Sequence, residues 1–482
     1  MRKKLFLLIM SLWLLGCDMT PQRNRPNIIL FLSDDLGYND LSCYRASHAV
    51  YSDRPPTSHT PNIDLLAQQG TRFTNFYCGA AVCSPSRASL LTGRNATRTG
   101  VYNWVPQNSP MHLRDEEVTI AEMLKQADYQ TAHFGKWHLT SEGTDQPLPN
   151  DQGYDYSFFT FNNAVPSHHN PVNFMRNGDP VGELSGYSCQ LVVDEAIQWL
   201  SSSRDAAKPF YINVWFNEPH VKLAAPPELT ERHQYNQKYY GAIENMDRAV
   251  GRLLDFLQEN DLDENTIIIF SSDNGSQVPG SNDPLRGEKA LNFEGGIRVP
   301  FIIKWADKIP AGKVSEITGS FTDILPSIAG LTHTQLPQNR TLDGIDLSPV
   351  FMGAADSIER ESPIFFFRYF HDPVCMLREN DWVLLGYDEL IPYSENYDQV
   401  ALAKLKPEPG AKPWSMWGFQ PVHMNFLEKI TPKYFELYNI KEDISQRNDV
   451  SSQHPDVVAR MKQKMLELRE EMIRDGGNWF SE

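Results

Sequence analysis

A cysteine at the start of a predicted helix has the setting that most clearly suggests chemistry. In the stretch CSPSRASLLTG, Pro85 and Arg87 follow Cys83 by two and four residues. Pro85 suits the first turn of a helix, because its φ is already helical and its missing N–H has no partner there. Backbone N–H groups at a helix start favour an anion, and the guanidinium group of Arg87 adds to that preference. The spacing predicts an oxyanion pocket with a reactive side chain at its edge; the alternative is a small buried cysteine that only packs.

Two pairs of oxygen-bearing side chains follow buried strands. The apolar run NIILFLS ends directly before Asp34 and Asp35, and the run TIIIFSS ends directly before Asp273 and Asn274. Adjacent buried carboxylates repel each other unless a cation lies between them. Two strands that end in oxygen ligands at one edge of a sheet predict a site for Ca²⁺ or Mg²⁺. A simple Asp-Asp-x-Gly turn is the alternative for the first pair.

Four cationic or titratable residues also come after predicted strands or in a glycine-bounded loop. Lys136 and His138 lie two residues apart in GKWHL, His220 follows the strand FYINVWF, and Lys289 lies in GEKALNFEGG. Taken singly, a lysine is usually solvated and a histidine usually satisfies an ordinary hydrogen bond. Together they are the residues that would line a cleft at the carboxyl ends of the strands.

The elements that must position these residues alternate between strand and helix. Buried runs such as NIILFLS, FYINVWF and TIIIFSS are typical of strands covered on both faces. Shorter segments predict a strand at residues 72–77 and a helix at 117–127. The alternation predicts an α/β fold, in which helices sandwich a large mixed, mostly parallel sheet with the active site at the strand carboxyl ends.

The composition changes after Gly353 and predicts a smaller C-terminal α+β subdomain. Residues 362–369 and 375–387 alternate like antiparallel strands, and the polar, proline-rich segment 388–419 predicts a surface loop. A last helix starts at Pro455, with a stripe of methionines that we interpret as core packing. The predicted boundaries are 26–355 for the catalytic domain and 356–482 for the subdomain.

The overall charge excludes several classes of partner. The 482 residues carry a formal net charge of −17, which argues against nucleic acid or an anionic membrane face. An anionic substrate would also be repelled at long range, so local cations and a metal must hold it. Four cysteines without another assignment show no disulfide framework, and we expect buried thiols at Cys43, Cys78, Cys189 and Cys375.

The N-terminus predicts export. Arg2, Lys3 and Lys4 precede an apolar run over residues 5–15 that is too short to span a bilayer. The run ends in LLGC, which resembles a bacterial lipobox and implies cleavage before Cys17 and lipidation of that residue. The prediction is a signal peptide over 1–16, a tether over 17–25 and a lipid anchor in the bacterial cell envelope, in the periplasm or at the cell surface. A plain secretory signal is the alternative.

The motifs together resemble those of the formylglycine-dependent sulfatases of the alkaline phosphatase superfamily. CSPSR followed by LLTGR is similar to the signature C-x-P-S-R with its trailing L-T-G. GKWHL, PH after a strand, SDNG and EGGIRVP are similar to successive sulfatase blocks in the same order, from Pro26 to about Trp305, and FELYNIKED is similar to the segment that closes the C-terminal subdomain. One departure is that Val221, Lys222 and Leu223 follow His220, where many sulfatases have a proline two residues on.

The resemblance implies a cofactor and a metal site. In the family, the cysteine matching Cys83 becomes formylglycine through a formylglycine-generating or anaerobic sulfatase-maturating enzyme. Its oxygen and the residues matching Asp34, Asp35, Asp273 and Asn274 hold a calcium ion. The resemblance thus implies that Ca²⁺ and formylglycine are the cofactors of this chain.

The resemblance also implies a mechanism. Hydrated formylglycine attacks sulfur, with its acidity raised by calcium and Arg87, while Lys136 and Lys289 bear charge on the sulfuryl oxygens. His220, alone or together with Lys289, protonates the leaving alcohol, and His138 accepts the proton whose loss expels sulfate.

The implied function is hydrolysis of a sulfate ester on a sulfated glycan, with release of inorganic sulfate. Arg368 and His371, in FRYFHD, are the candidate contacts to the sugar. Two alternatives stay open. One is a phosphodiesterase or phosphonate hydrolase of the same superfamily, and the other is an inactive glycan-binding lipoprotein.

Overall fold

The computed structural model describes residues 25–45, 58–369, 372–388, 419 and 421–481. The predicted signal peptide, Cys17, His371 and nearly all of the predicted loop lie outside these residues. Within them, none of the helices has the length and apolar character needed to cross a membrane.

The strands pair into three sheets within the described ranges. In chain order they are β1 (Asn27–Ser33), β2 (Thr71–Phe73), β3 (Phe76–Tyr77), β4 (Gln130–Lys136), β5 (Tyr156–Thr160), β6 (Phe174–Arg176), β7 (Asp179–Gly182), β8 (Phe210–Trp215), β9 (Thr266–Ser272), β10 (Phe301–Lys304), β11 (Lys313–Ser315), β12 (Gly319–Ser320), β13 (Ile364–Phe367), β14 (Cys375–Glu379), β15 (Trp382–Tyr387) and β16 (Tyr434–Asn439).

The helices separate most of these strands. They are α1 (Ser42–Arg45), α2 (Pro61–Gln69), α3 (Cys83–Thr92), α4 (Ile120–Lys125), α5 (Ser188–Gln198), α6 (Pro227–Thr230), α7 (Gln237–Glu259), α8 (Glu294–Ile297), α9 (Ile324–Thr332), α10 (Ser348–Phe351), α11 (Pro421–Lys429) and α12 (Pro455–Gly476). A π-helical turn at Trp199–Ser203 extends α5, and a 3₁₀ turn at Phe321–Asp323 precedes α9.

The large sheet has ten strands in the order β11-β2-β10-β9-β1-β8-β4-β5-β6-β7. Its centre, from β9 to β5, is parallel throughout, whereas β10 pairs antiparallel with both neighbours and β6 and β7 close the other edge as antiparallel strands. The prediction of a mixed, mostly parallel sheet is confirmed.

Helices cover both faces of this sheet. Alternate residues of β1 point to opposite sides, so that Ile28 and Leu30 join one buried cluster while Ile29 and Phe31 join the other. The first cluster contains Leu90 and Leu91 of α3, and the second contains apolar residues of α2, α5 and α7. Burial on both faces is the physical reason that the central strands are continuous apolar runs.

The C-terminal sheet is antiparallel, with the order β13-β14-β15-β16. The segment 375–387 is a hairpin of β14 and β15, and the methionines of α12 at positions 461, 465 and 472 are buried against this sheet. These observations confirm the antiparallel sheet and the core role of the methionine stripe. The boundary between 355 and 356 stays a prediction.

Two predicted elements differ from the observed ones. The helix expected at 117–127 starts at Ile120, because the Thr119 side chain accepts from Glu122 N and the Glu122 carboxylate accepts from Thr119 N. The strand expected at 72–77 is divided: β2 joins the large sheet, whereas β3 pairs with β12. The first difference arises from local capping hydrogen bonds, and the second arises from pairing with strands that are distant in the sequence. The apolar pattern along the chain shows neither.

The described cysteines, at positions 43, 78, 83, 189 and 375, form no disulfides. Cys43 is half-buried and the others are buried. The expectation of buried thiols is confirmed at Cys78, Cys189 and Cys375, whereas Cys43 is a thiol that is only half-buried.

Candidate active site

The candidate catalytic residues meet because four neighbouring strands end at one edge of the sheet. The strands β9, β1, β8 and β4 are adjacent in that order and parallel. Their carboxyl ends lead into the acidic pairs, the His220 loop and the Lys136–His138 segment. Side chains that are far apart in the sequence therefore lie together at the carboxyl ends of these strands, as expected for an open parallel sheet.

Helix α3 presents Cys83 to this edge. The helix begins at Cys83 after an extended Val82, with Pro85 in its first turn, and it ends at Thr92, where Gly93 caps it with a left-handed φ of 68°. All residues of α3 are buried. The Cys83 Sγ atom lies 3.5 Å from Asp34 Oδ1, which places the thiol at the carboxylates that end β1.

The acidic residues form a compact buried cluster. Ligand atoms of Asp34, Asp35, Cys83 and His220 all lie within 4.8 Å of one another. Asp35 has a left-handed φ of 66°, and its backbone N–H donates to Asp273 Oδ1 at 3.1 Å. Strained backbone of this kind persists where surrounding contacts determine it. This hydrogen bond holds the residues after β1 against the residues after β9.

Three cations surround the cluster. Arg87 donates to Asp273 Oδ2 from Nε and Nη2, at 3.1 and 2.7 Å. Lys136 Nζ lies 2.6 Å from Asp34 Oδ2, and Lys289 Nζ lies 2.6 Å from Asp35 Oδ2. Each carboxylate thus has a cation of its own, which offsets the cost of burying it.

The pKa values of Asp34 and Asp273 are shifted in opposite directions. Burial works to raise the pKa of Asp34, but Lys136, His220 and Arg87 outweigh it and hold that pKa well below its usual range. Burial and the charge of Asp34 raise the pKa of Asp273 despite Arg87. Of these two carboxylates, only Asp273 has its charged form disfavoured by its surroundings, and a cation bound beside it would favour that form.

The Cys83 thiol and the Lys289 amine also have shifted pKa values. Burial raises the pKa of Cys83 to about 12, although Lys136 and Lys289 oppose the shift. Burial works against the charge on Lys289, but Asp35 raises its pKa. An unmodified Cys83 is thus a protonated thiol, which is a poor nucleophile, whereas Lys289 is a permanent cation.

The two histidines present opposite nitrogens to the site. His220 donates from Nδ1 to the Val221 carbonyl oxygen at 2.6 Å, and its Nε2 lies 3.4 Å from Asp35 Oδ2. His138 Nε2 faces the Val105 carbonyl oxygen at 3.2 Å, so this nitrogen carries the hydrogen, and the buried Nδ1 has no hydrogen-bond partner among the described residues. Burial and Lys289 lower the pKa of His220 to about 4; burial and Lys136 lower that of His138 well below its usual value.

Comparison with known proteins identifies the chain. Residues 26–334 match the Sulfatase family. The chain is 32% identical to N-acetylgalactosamine-6-sulfatase of Canis lupus familiaris over 391 residues, which are 75% of this chain and 72% of that protein. The chain belongs to the sulfatase family. It is therefore a sulfuric ester hydrolase.

Further relatives agree with this sulfatase in sequence and in fold. Arylsulfatase A of Homo sapiens is 34% identical over 382 residues, covering 72% of each chain. The crystal structure of Ps i-CgsB in complex with k-i-k-neocarrahexaose aligns with a TM-score of 0.75 and 26% identity, over 95% of each chain. The similarity in fold thus extends beyond the matched domain into the C-terminal subdomain.

The donor set of this sulfatase fits a hard metal ion. The Asn274 side chain donates from Nδ2 to Asp35 Oδ1 at 2.7 Å, while its Oδ1 is buried and accepts no hydrogen bond among the described residues. A buried carbonyl oxygen without a donor is costly unless a cation or water faces it. Carboxylate and amide oxygens are the ligands that Ca²⁺ takes. His220 joins the cluster where we had expected only oxygen ligands and Cys83.

One residue of the site was not predicted from the sequence. Asn163, in the loop after β5, accepts a hydrogen bond from Lys136 Nζ at 2.9 Å. The sequence contained a usable signal, because the polar pair Asn162-Asn163 directly follows an apolar strand. Since β5 pairs with β4, its loop emerges beside Lys136 at the same edge.

Arg368, predicted to contact substrate, is buried beside α3. It lines a small cavity of about 20 Å³ together with Val82, Pro85 and Asn292, and its backbone N–H donates to Val374 O at 2.7 Å. This cavity lies next to the start of the Cys83 helix. His371 lies outside the described residues, so its role stays a prediction.

Proposed function

We propose that this sulfatase hydrolyses sulfate esters on a sulfated carbohydrate and releases inorganic sulfate. The observation that carries the proposal is the position of Cys83 Sγ, 3.5 Å from Asp34 Oδ1 and at the start of a buried helix. Two similar proteins, N-acetylgalactosamine-6-sulfatase and Ps i-CgsB in complex with k-i-k-neocarrahexaose, support a carbohydrate as the substrate.

We propose that Ca²⁺ and formylglycine are the cofactors. Asp34, Asp35, Asp273 and Asn274 would hold the ion, and the orphaned Asn274 Oδ1 supports its inclusion. When both are present, the modified residue 83 supplies the nucleophilic hydroxyl and the ion supplies positive charge beside it. The modification requires a formylglycine-generating or anaerobic sulfatase-maturating enzyme as partner. The raised pKa of the Cys83 thiol agrees with a need for modification, since little thiolate exists at neutral pH.

The cations bind the sulfuryl group in this proposal. Lys136 and Lys289 each place Nζ 2.6 Å from a cluster carboxylate, and their remaining N–H bonds can donate to sulfuryl oxygens. Asp34 and Asn163 accept two of the three Lys136 hydrogens, which orients the third toward a sulfuryl oxygen. Such fixed cations stabilise the charge that grows on these oxygens in the transition state. Arg87 holds Asp273 in place through its ion pair with Oδ2.

His220 is the proposed general acid. Its Nδ1 is engaged by the Val221 carbonyl oxygen, so Nε2 is the nitrogen that can transfer a proton at the cluster. Although the pKa of His220 is lowered to about 4, a bound sulfate ester brings negative charge that favours the imidazolium form. Its side chain is also 14% exposed, which leaves access for a leaving alcohol.

His138 is the proposed general base. Its Nε2 hydrogen points to Val105 O, and the unpartnered Nδ1 therefore holds the lone pair. Burial keeps the ring neutral. A neutral imidazole with one committed nitrogen accepts a proton at the other, which suits the removal of a proton from the group at position 83.

The test is sulfate release by protein from its native host. N-Acetylgalactosamine 6-sulfate and a sulfated carrageenan oligosaccharide are the sugar probes, with the corresponding phosphate ester and a phosphonate ester as competitors. Release of sulfate with a much higher kcat/KM than release of phosphate supports the proposal. Preference for the phosphorus esters would favour the phosphodiesterase or phosphonate hydrolase alternative, and binding without turnover would favour the inactive lipoprotein.

We also propose that the chain is exported and anchored by lipid at Cys17. The support is the sequence pattern of a basic start, a short apolar run and LLGC. Labelled fatty acid should enter the wild-type protein in a bacterial host. It should not enter a Cys17→Ser variant. Label in both would contradict the assignment.

A further inference from the structure

A half-buried tryptophan lies beside the proposed general base. The rings of Trp104 and His138 have centroids 6.4 Å apart and planes tilted by 45°. His138 is buried, and the neighbours of Trp104 along the chain, Asn103 and Val105, are buried as well, whereas the indole keeps part of its surface exposed. The catalytic edge thus has an accessible aromatic surface next to one of its working residues.

Two hydrogen bonds of the Val105 backbone hold the segment that contains Trp104 in place. Val105 N donates to the hydroxyl of Ser84, the residue after Cys83, at 2.9 Å. Val105 O accepts from His138 Nε2 at 3.2 Å. The indole is therefore held in a fixed relation to the start of α3 and to His138.

The other side of this segment contacts the C-terminal subdomain. The Tyr102 ring stacks on Phe419 with centroids 5.7 Å apart, and Phe419 packs edge-on against Tyr369 at 6.4 Å. Packing on two sides holds the backbone near Trp104, so little conformational entropy is lost when the indole contacts a ligand. A rigid aromatic surface of this kind is typical of ligand-contacting sites.

We propose that Trp104 receives the apolar face of the sugar whose sulfate is cleaved, and that it helps determine specificity for pyranose leaving groups. This inference rests on the proposed function. A pyranose ring has a face of C–H bonds that can pack on the neutral indole, whereas the sulfate must lie at the cations Lys136 and Lys289. The two parts of the substrate are thereby assigned to different surfaces.

A purely structural role for Trp104 makes different predictions. If the indole only supported His138, its loss would disturb the acid–base chemistry, lowering kcat and altering the pH profile. If it contacts the sugar, its loss weakens binding of the sugar and leaves the sulfate pocket intact. Inorganic sulfate, which has no sugar, separates the two roles because it can occupy the pocket as a competitive inhibitor.

The experiment compares Trp104→Ala with Trp382→Ala in mature protein. Trp382 is a matched control, because it is another half-buried tryptophan with a tilted histidine neighbour, His454 at 4.8 Å, but it lies on β15 of the C-terminal sheet. We expect Trp104→Ala to raise KM for the turned-over sulfated sugar about tenfold while kcat and the inhibition constant of inorganic sulfate change by less than about twofold. Trp382→Ala should leave all three constants unchanged.

Two results would overturn the inference. One is an unchanged KM in Trp104→Ala. The other is an inhibition constant for sulfate that rises as much as KM. Trp104→Leu repeats the test if the alanine variant does not fold. Wild-type protein that releases no sulfate from any sugar probe would overturn the proposed function together with this inference, whereas an active wild type with an unaffected variant overturns this inference alone.

Discussion

Lys136 and Asp34 form an ion pair in which neither side chain has any exposed surface, with Nζ 2.6 Å from Oδ2. Lys136 ends β4 and Asp34 follows β1, and β8 lies between these strands in the sheet. The pair therefore spans the centre of the proposed active site. Removing one member would leave the other as an uncompensated buried charge.

We expect Lys136→Met to lower kcat on a sulfated sugar by a factor of about 100 or more, because a fixed cation at the sulfuryl oxygens is lost. The same change should lower the free energy of unfolding by about 3 kcal/mol, since Asp34 loses its partner. Sulfate release and urea unfolding measure the two effects. The control is Lys125→Met, whose 2.7 Å pair with Asp155 is exposed and should contribute less than about 1 kcal/mol. Equal losses in both variants would contradict the assigned role.

Cys83→Ala should abolish sulfate release while the protein keeps its fold. Alanine cannot be converted to formylglycine, and it preserves the helical start of α3. Circular dichroism and thermal unfolding check the fold. Mass spectrometry of the peptide containing residue 83 should show the converted cysteine in wild-type protein only. Cys43→Ala, which changes a half-buried thiol elsewhere, should retain activity. Turnover near the wild-type rate in Cys83→Ala would eliminate the formylglycine proposal.

Calcium should stabilise the folded protein. A ligand that binds only the native state at a concentration of 100 times its Kd adds about 2.7 kcal/mol to the free energy of unfolding. We therefore expect Tm to rise when Ca²⁺ is added to chelator-treated protein, and to rise less with Mg²⁺. Asn274→Leu should reduce the Ca²⁺-dependent rise, because it removes the unpartnered Oδ1. A rise of equal size in the variant would remove Asn274 from the proposed ligand set.

His220→Ala should affect substrates according to their leaving groups. A sugar alkoxide is a poor leaving group and needs a proton, whereas a nitrophenolate needs little help. We expect kcat to fall by a factor of about 100 for a sulfated sugar and much less for 4-nitrophenyl sulfate. His233→Ala is the control, since His233 contacts Glu244 away from the cluster. Equal losses on both substrates would indicate that His220 has another role.

Asp247 should make stability depend on pH. It is buried on α7, accepts hydrogen bonds from Asn62 and Ile63 at the start of α2, and burial raises its pKa to about 6. Because this exceeds the unfolded value of about 3.9, the folded state binds more protons between these limits, and stability falls as pH rises from about 4 to about 6.

The Asp247→Asn variant isolates this contribution. Asparagine resembles the protonated acid, so the difference in stability between variant and wild type should shift in favour of the variant by at most about 3 kcal/mol from pH 4 to pH 7. Urea unfolding at both pH values measures the shift. A difference that does not change with pH would show that Asp247 titrates normally.

Local signals in the sequence predicted much of the fold. Continuous apolar runs predicted the central strands, because a strand buried on both faces needs apolar residues at every position. Pro85 predicted the start of α3 at Cys83, since proline favours the first helical turn. The methionine stripe of α12 likewise predicted its buried face.

Other features were decided by contacts between distant segments. The division of residues 72–77 depends on β10 and β12, which lie far away in the chain. Asn163 acquires its role only because β5 pairs with β4 and its loop meets Lys136. Trp104 has no motif of its own, and its place beside His138 depends on the Val105 hydrogen bonds.

The sequence by itself determined the family, the strand-and-helix pattern and the residue types of the candidate site, because these follow from short motifs and from periodicity along the chain. The tertiary structure decided which cation pairs with which carboxylate, which histidine nitrogen faces the cluster and which aromatic ring borders it. The physical reason is that these relations depend on strand order and loop direction, which bring together residues as far apart as Asp35 and Lys289.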